Sequence, residues 1–160
     1  MDIRHATNED ISAIALVESL CFPAAEAATI SSITDRVNTY PKHFWLCFVD
    51  GVLVSFINGL CTNAKDLTDD MFESAAIHDE NGEWQMIFSV STHPSYTGKG
   101  YASATLKRAI SDCRRDKRKG VVLTCKEALL PFYARFGFIN EGVSKSEHGG
   151  ARWYQMRLTF

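Results

Sequence analysis

The chain has 160 residues, 46% of them hydrophobic, with a formal net charge of −2 and a pI near 6.2. That length suits one globular domain spanning residues 1–160, and the charge balance gives no overall attraction to nucleic acid. The five cysteines (Cys21, Cys47, Cys61, Cys113 and Cys125) stand far apart without a CxxC pair, which argues against a zinc site or dithiol redox motif and for reduced, buried thiols in a cytoplasmic protein.

The opening run Met1-Asp2-Ile3-Arg4-His5 lacks the apolar stretch of a signal peptide, and nowhere does an apolar run approach the ~20 residues of a membrane helix. Met1–Ala6 reads as a short strand. Asn8 suits an N-cap, with Ile11, Ile14, Val17 and Leu20 at helical spacing behind it, and Phe22-Pro23 ends that helix. A second helix is predicted over Ala27–Tyr40, closed by Pro41. Phe44–Val49 and Val52–Leu60 are rich in strand formers, and Asp50-Gly51 between them is a two-residue hairpin signal. Asp66–Ala76 is acidic and weakly helical, Asp79–Gly82 a turn, and Trp84–Ser91 a central strand apolar on both faces. Tyr101–Arg115 is a helix, Val121–Cys125 a short buried strand, and Ala128–Phe136 a short helix with Pro131 in its first turn and Gly137 ending it. Ile139–Val143 and Arg152–Leu158 close the chain around a loop containing Gly149-Gly150. The order predicts an α/β chain, a mixed sheet with helices on its faces.

The densest chemical signal is Phe88-Ser-Val-Ser-Thr-His-Pro-Ser-Tyr-Thr-Gly-Lys-Gly-Tyr-Ala-Ser103: a strand, a loop, two glycines around Lys99, then a helix. Main-chain amides in such a turn, at the positive end of a helix, suit a phosphorylated ligand. A nucleotide P-loop requires GxxxxGK[ST], which Gly98-Lys99-Gly100-Tyr101 does not supply. A dinucleotide fingerprint is nearer, since Gly98-x-Gly100-x-x-Ser103 resembles GxGxxG, but Thr92–Thr97 separate it from the strand where a tight turn is needed.

A third reading uses more of the chain. The strand, the GxG loop, the helix, the next strand and then Cys125–Phe138, with Pro131-Phe-Tyr-x-x-Phe-Gly-Phe138 inside it, resemble the GNAT superfamily of acetyl-CoA-dependent N-acetyltransferases. The hairpin over Trp45–Ile57, Asp66-Leu67-Thr68, and Thr124-Cys-Lys-Glu-Ala-Leu129 resemble its serotonin (arylalkylamine) branch. The chain departs from the pattern at Ser95, where the superfamily carries Arg or Gln, and at Trp84 and Met86, where vertebrate members of the branch carry two histidines.

The resemblance implies a mostly antiparallel central sheet, helices on both faces, and a splay between the fourth and fifth strands. It implies acetyl-CoA as co-substrate, no metal, and a small amine as partner, an arylalkylamine or a polyamine, with a protein amine or a non-catalytic CoA sensor as alternatives. Phe88, Ser89 and Val90 would bond the pantetheine arm, and Ser95, Tyr96, Thr97, Gly98, Lys99, Gly100, Tyr101 and Ala102 would hold the pyrophosphate. Tyr133, at the family's tyrosine position, would reach the coenzyme thiol and return its proton. Glu26, in the segment that closes over substrate, is the candidate base or ammonium-binding group, against a plain reading as a helix-start acid. Cys125 lines the splay and is expected as an inert core thiol. His93 is expected to point into its loop, and His5, His43, His78 and His148 to be ordinary surface or hairpin histidines. The basic run Lys107 to Lys119 is expected to be solvated. Phe22, Phe44, Trp45, Phe48 and Phe56 are expected mostly in the core, with one or two lining an acceptor pocket. Trp153 and Tyr154 edge the same pocket or a dimer contact, so a monomer or a homodimer is expected.

Overall fold

Strand alternation sorts the core side chains into two sets. The computed structural model describes all residues, Met1–Phe160. Phe44, Leu46, Phe56, Met86 and Val122 point to one face of the sheet, where they meet Ile14 and Val17 of one helix and Ile33 and Val37 of the next. Trp45, Ile57, Ile87, Val121 and Leu123, each one residue out of step, point to the other face and meet Leu106, Ala109 and Tyr133. The strands are therefore buried on both sides, as their near-continuous apolar runs predict.

The elements are β1 (Asp2–Arg4), α1 (Ile11–Cys21), α2 (Ile30–Thr39), β2 (Phe44–Val49), β3 (Val52–Asn58), β4 (Cys61–Thr62), α3 (Asp69–Glu73), β5 (Trp84–Ile87), β6 (Ser89–Thr92), α4 (Tyr101–Arg115), β7 (Gly120–Cys125), α5 (Leu130–Ala134), β8 (Ile139–Val143) and β9 (Tyr154–Thr159). They form two sheets, ordered β1-β2-β3-β6 and β4-β5-β7-β9-β8. Every pairing is antiparallel except β5 with β7. Asp50 and Gly51 take φ of 51° and 78°, the left-handed pair that a two-residue hairpin needs.

Several expected boundaries shift for local reasons. Thr7, not Asn8, caps the first helical turn, because Asp10 accepts the Thr7 amide at 2.8 Å and is held by Arg4 at 2.8 Å. The second helix begins at Ile30, since the Thr29 hydroxyl accepts from the Ser32 amide at 3.1 Å and fixes the cap there. The expected strand Val52–Leu60 ends early, at Asn58, and Cys61–Thr62 beyond it pairs in the other sheet; the expected strand Trp84–Ser91 is broken at Phe88, and its halves belong to different sheets. The acidic stretch yields only the five residues of α3 followed by a single turn at Ala75–Ile77. No helix is long and apolar enough to cross a membrane.

Most of the basic run faces solvent as expected, with Lys107, Arg108, Arg114, Arg115, Lys117 and Lys119 exposed. Buried Asp112 accepts from Trp45 Nε1 at 2.9 Å and gathers Arg108 and Arg115. Arg118 is tucked against the chain, donating to the carbonyls of Glu80 and Gly82 at 2.8 and 2.7 Å.

Candidate active site

The site begins with one extra residue in a strand. β5 and β7 pair in parallel from Trp84–Gly120 to Ile87–Leu123, and there the pairing stops. The Phe88 amide donates to the Asn58 carbonyl at 2.7 Å, yet Ser89 is also opposite Asn58. Two residues against one is a β-bulge, and it turns the strand away from β7 and onto β3. A buried polar clamp holds the bulge. Asn58 donates to Ser89 Oγ at 2.7 Å and accepts from Arg36 at 3.1 Å, while Arg36 also donates to the Phe72 carbonyl and lays its guanidinium 4.7 Å from the Phe88 ring centre.

A wedge therefore opens between β6 and the end of β7. The His93 amide donates to the Val54 carbonyl at 2.8 Å. Alternation along the ladder then directs Ser89 and Ser91 toward β3 and leaves the N–H and C=O of Val90 facing the wedge. The carbonyl of Thr92, on the same side, accepts from the Cys21 thiol. The wedge encloses a cavity of about 510 Å³, with Phe88, Ser89, Val90, Thr124, Cys125 and Tyr133 among its walls. Tyr133 is 5% exposed, its hydroxyl has no protein partner, and burial raises its pKa so that it stays protonated. Burial also pushes the Cys125 thiol up to about 11, so it is not a thiolate near neutrality.

At the open end of the wedge lies the glycine loop. His93 Nδ1 accepts from the Ser95 amide, which turns this ring into its own loop. Pro94 and Thr97 line the cavity, whereas Ser95, Tyr96, Lys99 and Tyr101 are not among its walls. Gly98 and Gly100 take φ of 76° and 84°, and no atom lies within 4 Å of where a Cβ would stand, so their role is conformational. The amides from Thr97 to Ser103 donate to no other protein group. Together with the N-terminus of the fifteen-residue α4, they form an anion-binding end to the wedge.

A second cavity, of about 410 Å³, lies on the other side of Phe88, and Phe22, Phe88, Thr124 and Trp153 are common to both. Glu26 stands on its wall as expected, but its carboxylate is taken: Lys126 Nζ lies 2.9 Å from one oxygen and 3.0 Å from the other. A second buried carboxylate, which the sequence reading passed over, is Glu18. It is 4% exposed. One oxygen accepts from the Ala28 amide at 2.9 Å and the other has no partner. Burial raises its pKa above the ordinary carboxylate value, against the neighbouring Ser89 hydroxyl and Arg36.

Three histidines depart from the surface role expected of them. His148 lines the second cavity, stacks on Phe72 with ring centres 4.8 Å apart, and bonds to the Glu26 carbonyl at 2.7 Å. His43 is buried at the far end of β5 in a group with Cys61 and His78. Its Nδ1 bonds Gln85 at 2.8 Å and its Nε2 bonds Glu80 at 3.0 Å. His78 accepts the Cys61 amide at 3.0 Å and also meets Glu80 at 3.0 Å. With every ring nitrogen engaged, this group reads as a structural clamp.

A bulged strand splayed from its parallel neighbour, with an anion-binding loop at the mouth of the wedge, makes this a mixed α/β protein with an open strand edge beside a site for a negatively charged ligand. Residues 11–138 match the model of the acetyltransferase (GNAT) family, and the chain belongs to that family. It is 32% identical over 92 residues to serotonin N-acetyltransferase of Mesocricetus auratus, covering 57% of this chain and 43% of that protein. The matched part is thus less than half the length of that relative. Among solved structures, the GphF GNAT-like decarboxylase in complex with isobutyryl-CoA superposes with a TM-score of 0.86 at 18% identity, over 99% of both chains. The loading GNATL domain of CurA from Lyngbya majuscula gives 0.85 at 16% identity, over 99% of this chain and 96% of that one. At such identities the superpositions speak to the fold.

Proposed function

We propose that this chain acetylates a small primary amine, with acetyl-CoA lying in the wedge and the amine entering from the cavity beyond Phe88. The observation that carries the reading is the meeting of two cavities at Phe88, with a buried tyrosine hydroxyl on one side and a buried, free carboxylate on the other. The partial likeness to serotonin N-acetyltransferase supports an arylalkylamine or a polyamine as acceptor. A roof made by the Glu26–Lys126 pair and the His148 contact favours a small molecule over a protein segment.

The amides from Thr97 to Ser103 hold the pyrophosphate, so the Ser95–Ala102 loop needs no arginine or glutamine at Ser95 to make a binding site. Val90 bonds the pantetheine arm as an added strand would, and main-chain N–H in the bulged strand polarises the thioester carbonyl. An alkylammonium with a pKa of ~10 is about one part in a thousand neutral at pH 7. Glu18 takes its proton, and the amine attacks the carbonyl carbon. The C–S bond breaks, Tyr133 gives its proton to the departing thiolate, and the second proton leaving the acylated nitrogen restores Tyr133. Glu26 positions the cavity wall through Lys126.

The test is a thiol-release assay with acetyl-CoA and a panel of tryptamine-like, polyamine and peptide acceptors, run with the native chain and Tyr133→Phe. Native activity on small amines is expected, and the variant should lose ~10²-fold or more in turnover, far more than it loses in acetyl-CoA affinity. Undiminished turnover removes Tyr133 from the mechanism. Silence across the panel, with CoA still bound, makes the chain a sensor.

A further inference from the structure

The acceptor cavity carries more negative charge than a monoamine needs. Glu18, Glu26, Asp69, Glu73 and Glu147 line it, against Arg36. Lys126 neutralises Glu26. Arg36 donates to the neutral Asn58 side chain and Phe72 carbonyl, so it keeps its charge and offsets one carboxylate, that of Glu18. Asp69 is occupied by the Ser146 hydroxyl and the Glu147 amide, neither of which cancels its charge. Glu73 and Glu147 are exposed and make no ion pair.

The acids are also spread in depth. Glu18 is at the inner end beside the bulge, more than nine-tenths buried, with one oxygen lacking any partner. A buried acceptor left unpaired is costly, and a donor from a ligand relieves that cost. Glu73 and Glu147 stand where the cavity meets solvent. Phe72, Phe88, His148 and Trp153 share its walls, and such rings suit a methylene chain and favour a nearby cation over their faces.

We propose that this cavity selects a linear diamine or polyamine, whose reacting amine meets Glu18 while a second ammonium rests between Glu73 and Glu147. The proposal rests on the amine-acetylation reading above and narrows its acceptor class. An arylalkylamine places its single charge at Glu18 and leaves the outer carboxylates without a partner.

Matched substrates isolate the second charge. With the native chain and acetyl-CoA, 1,6-diaminohexane should exceed hexylamine in kcat/KM by about tenfold at low salt, the size expected for two exposed carboxylates acting on one cation. Spermidine should likewise exceed tryptamine. The ratio should fall toward one as salt is raised, because the outer acids are exposed and screened. Glu73→Gln combined with Glu147→Gln should bring the diamine-to-monoamine ratio toward one at low salt. Hexylamine or tryptamine matching the diamine, or a ratio indifferent to the double substitution, overturns the proposal. Calorimetry of both amines on the CoA-loaded protein reads selection without turnover. A protein that is silent in catalysis but binds the diamine more tightly removes the reaction and leaves the selection standing; equal binding of the two amines removes the selection.

Discussion

Glu18 and Arg36 are the side chains on which the site turns, and both lie where apolar residues were expected. Glu18 follows Ile14 by four residues, on the buried stripe of α1, and Arg36 follows Ile33 by three on that of α2. A charged residue on an apolar helix face is a signal that sequence offers, because burying it needs partners or a function. Tyr133 was legible for another reason: it falls within Cys125–Phe138, where α5 and Gly137 are fixed by local residues. Glu26 lines the second cavity, but its partner is a hundred residues away, and such pairings are not written locally. Burial raises the Glu18 carboxyl, so kcat/KM should climb with pH through a limb above the ordinary carboxylate range and level off once Glu18 is ionised. Glu18→Gln should abolish this limb and lower kcat/KM by ~10²-fold. A limb that survives the substitution belongs to another group. Stability runs the opposite way. A raised pKa in the folded state means the folded chain binds the extra proton. This contribution is full below the unfolded carboxyl value and is lost as pH rises through the raised one.

At the scale of elements, the break at Phe88 creates the site, and composition does not mark it. Nothing in Trp84-Gln-Met-Ile-Phe-Ser-Val-Ser91 singles out Phe88. The extra residue is set by register against Asn58, a long-range property. Gly59 marks the end of the facing strand, and its reason is space. A Cβ there would stand 1.7 Å from the Met86 carbonyl oxygen. Backbone atoms of a buried central strand cannot yield as a flexible side chain can. Gly59→Ala should therefore cost about 3 kcal/mol or more, read as a lower denaturant midpoint at constant slope. A loss under about 1 kcal/mol would show that β3 and β5 slide apart easily, and the bulge would then lack the rigid frame argued for it. Gly98 contrasts with this: it has open space on every side, and only its positive φ restricts what can replace it.

For the whole molecule, the wedge leaves main-chain groups unpaired at two places, Val90 on the strand and Thr97–Ser103 at the helix end. Strand and helix patterns were enough to order the elements and to put helices on both faces. The division into two sheets was not legible, because it depends on where the parallel pairing between β5 and β7 gives out. A ligand with an amide-bearing arm and a diphosphate supplies partners to both places at once, and it does so only when the sheets are assembled. Coenzyme A should therefore bind the folded chain and not the unfolded one. At a hundred times its dissociation constant, that selectivity stabilises the fold by about 2.7 kcal/mol, a rise in Tm of roughly 5–10 °C for a chain of this size. Thermal melts with CoA, ATP and NAD at equal concentration discriminate among the readings of the glycine loop. ATP offers phosphates without the arm, and NAD offers a diphosphate without the thiol-bearing chain, so each should shift the melt much less. An equal shift from either would mean that the amide cradle alone dominates binding and that the gap beside Val90 is not where the ligand lies.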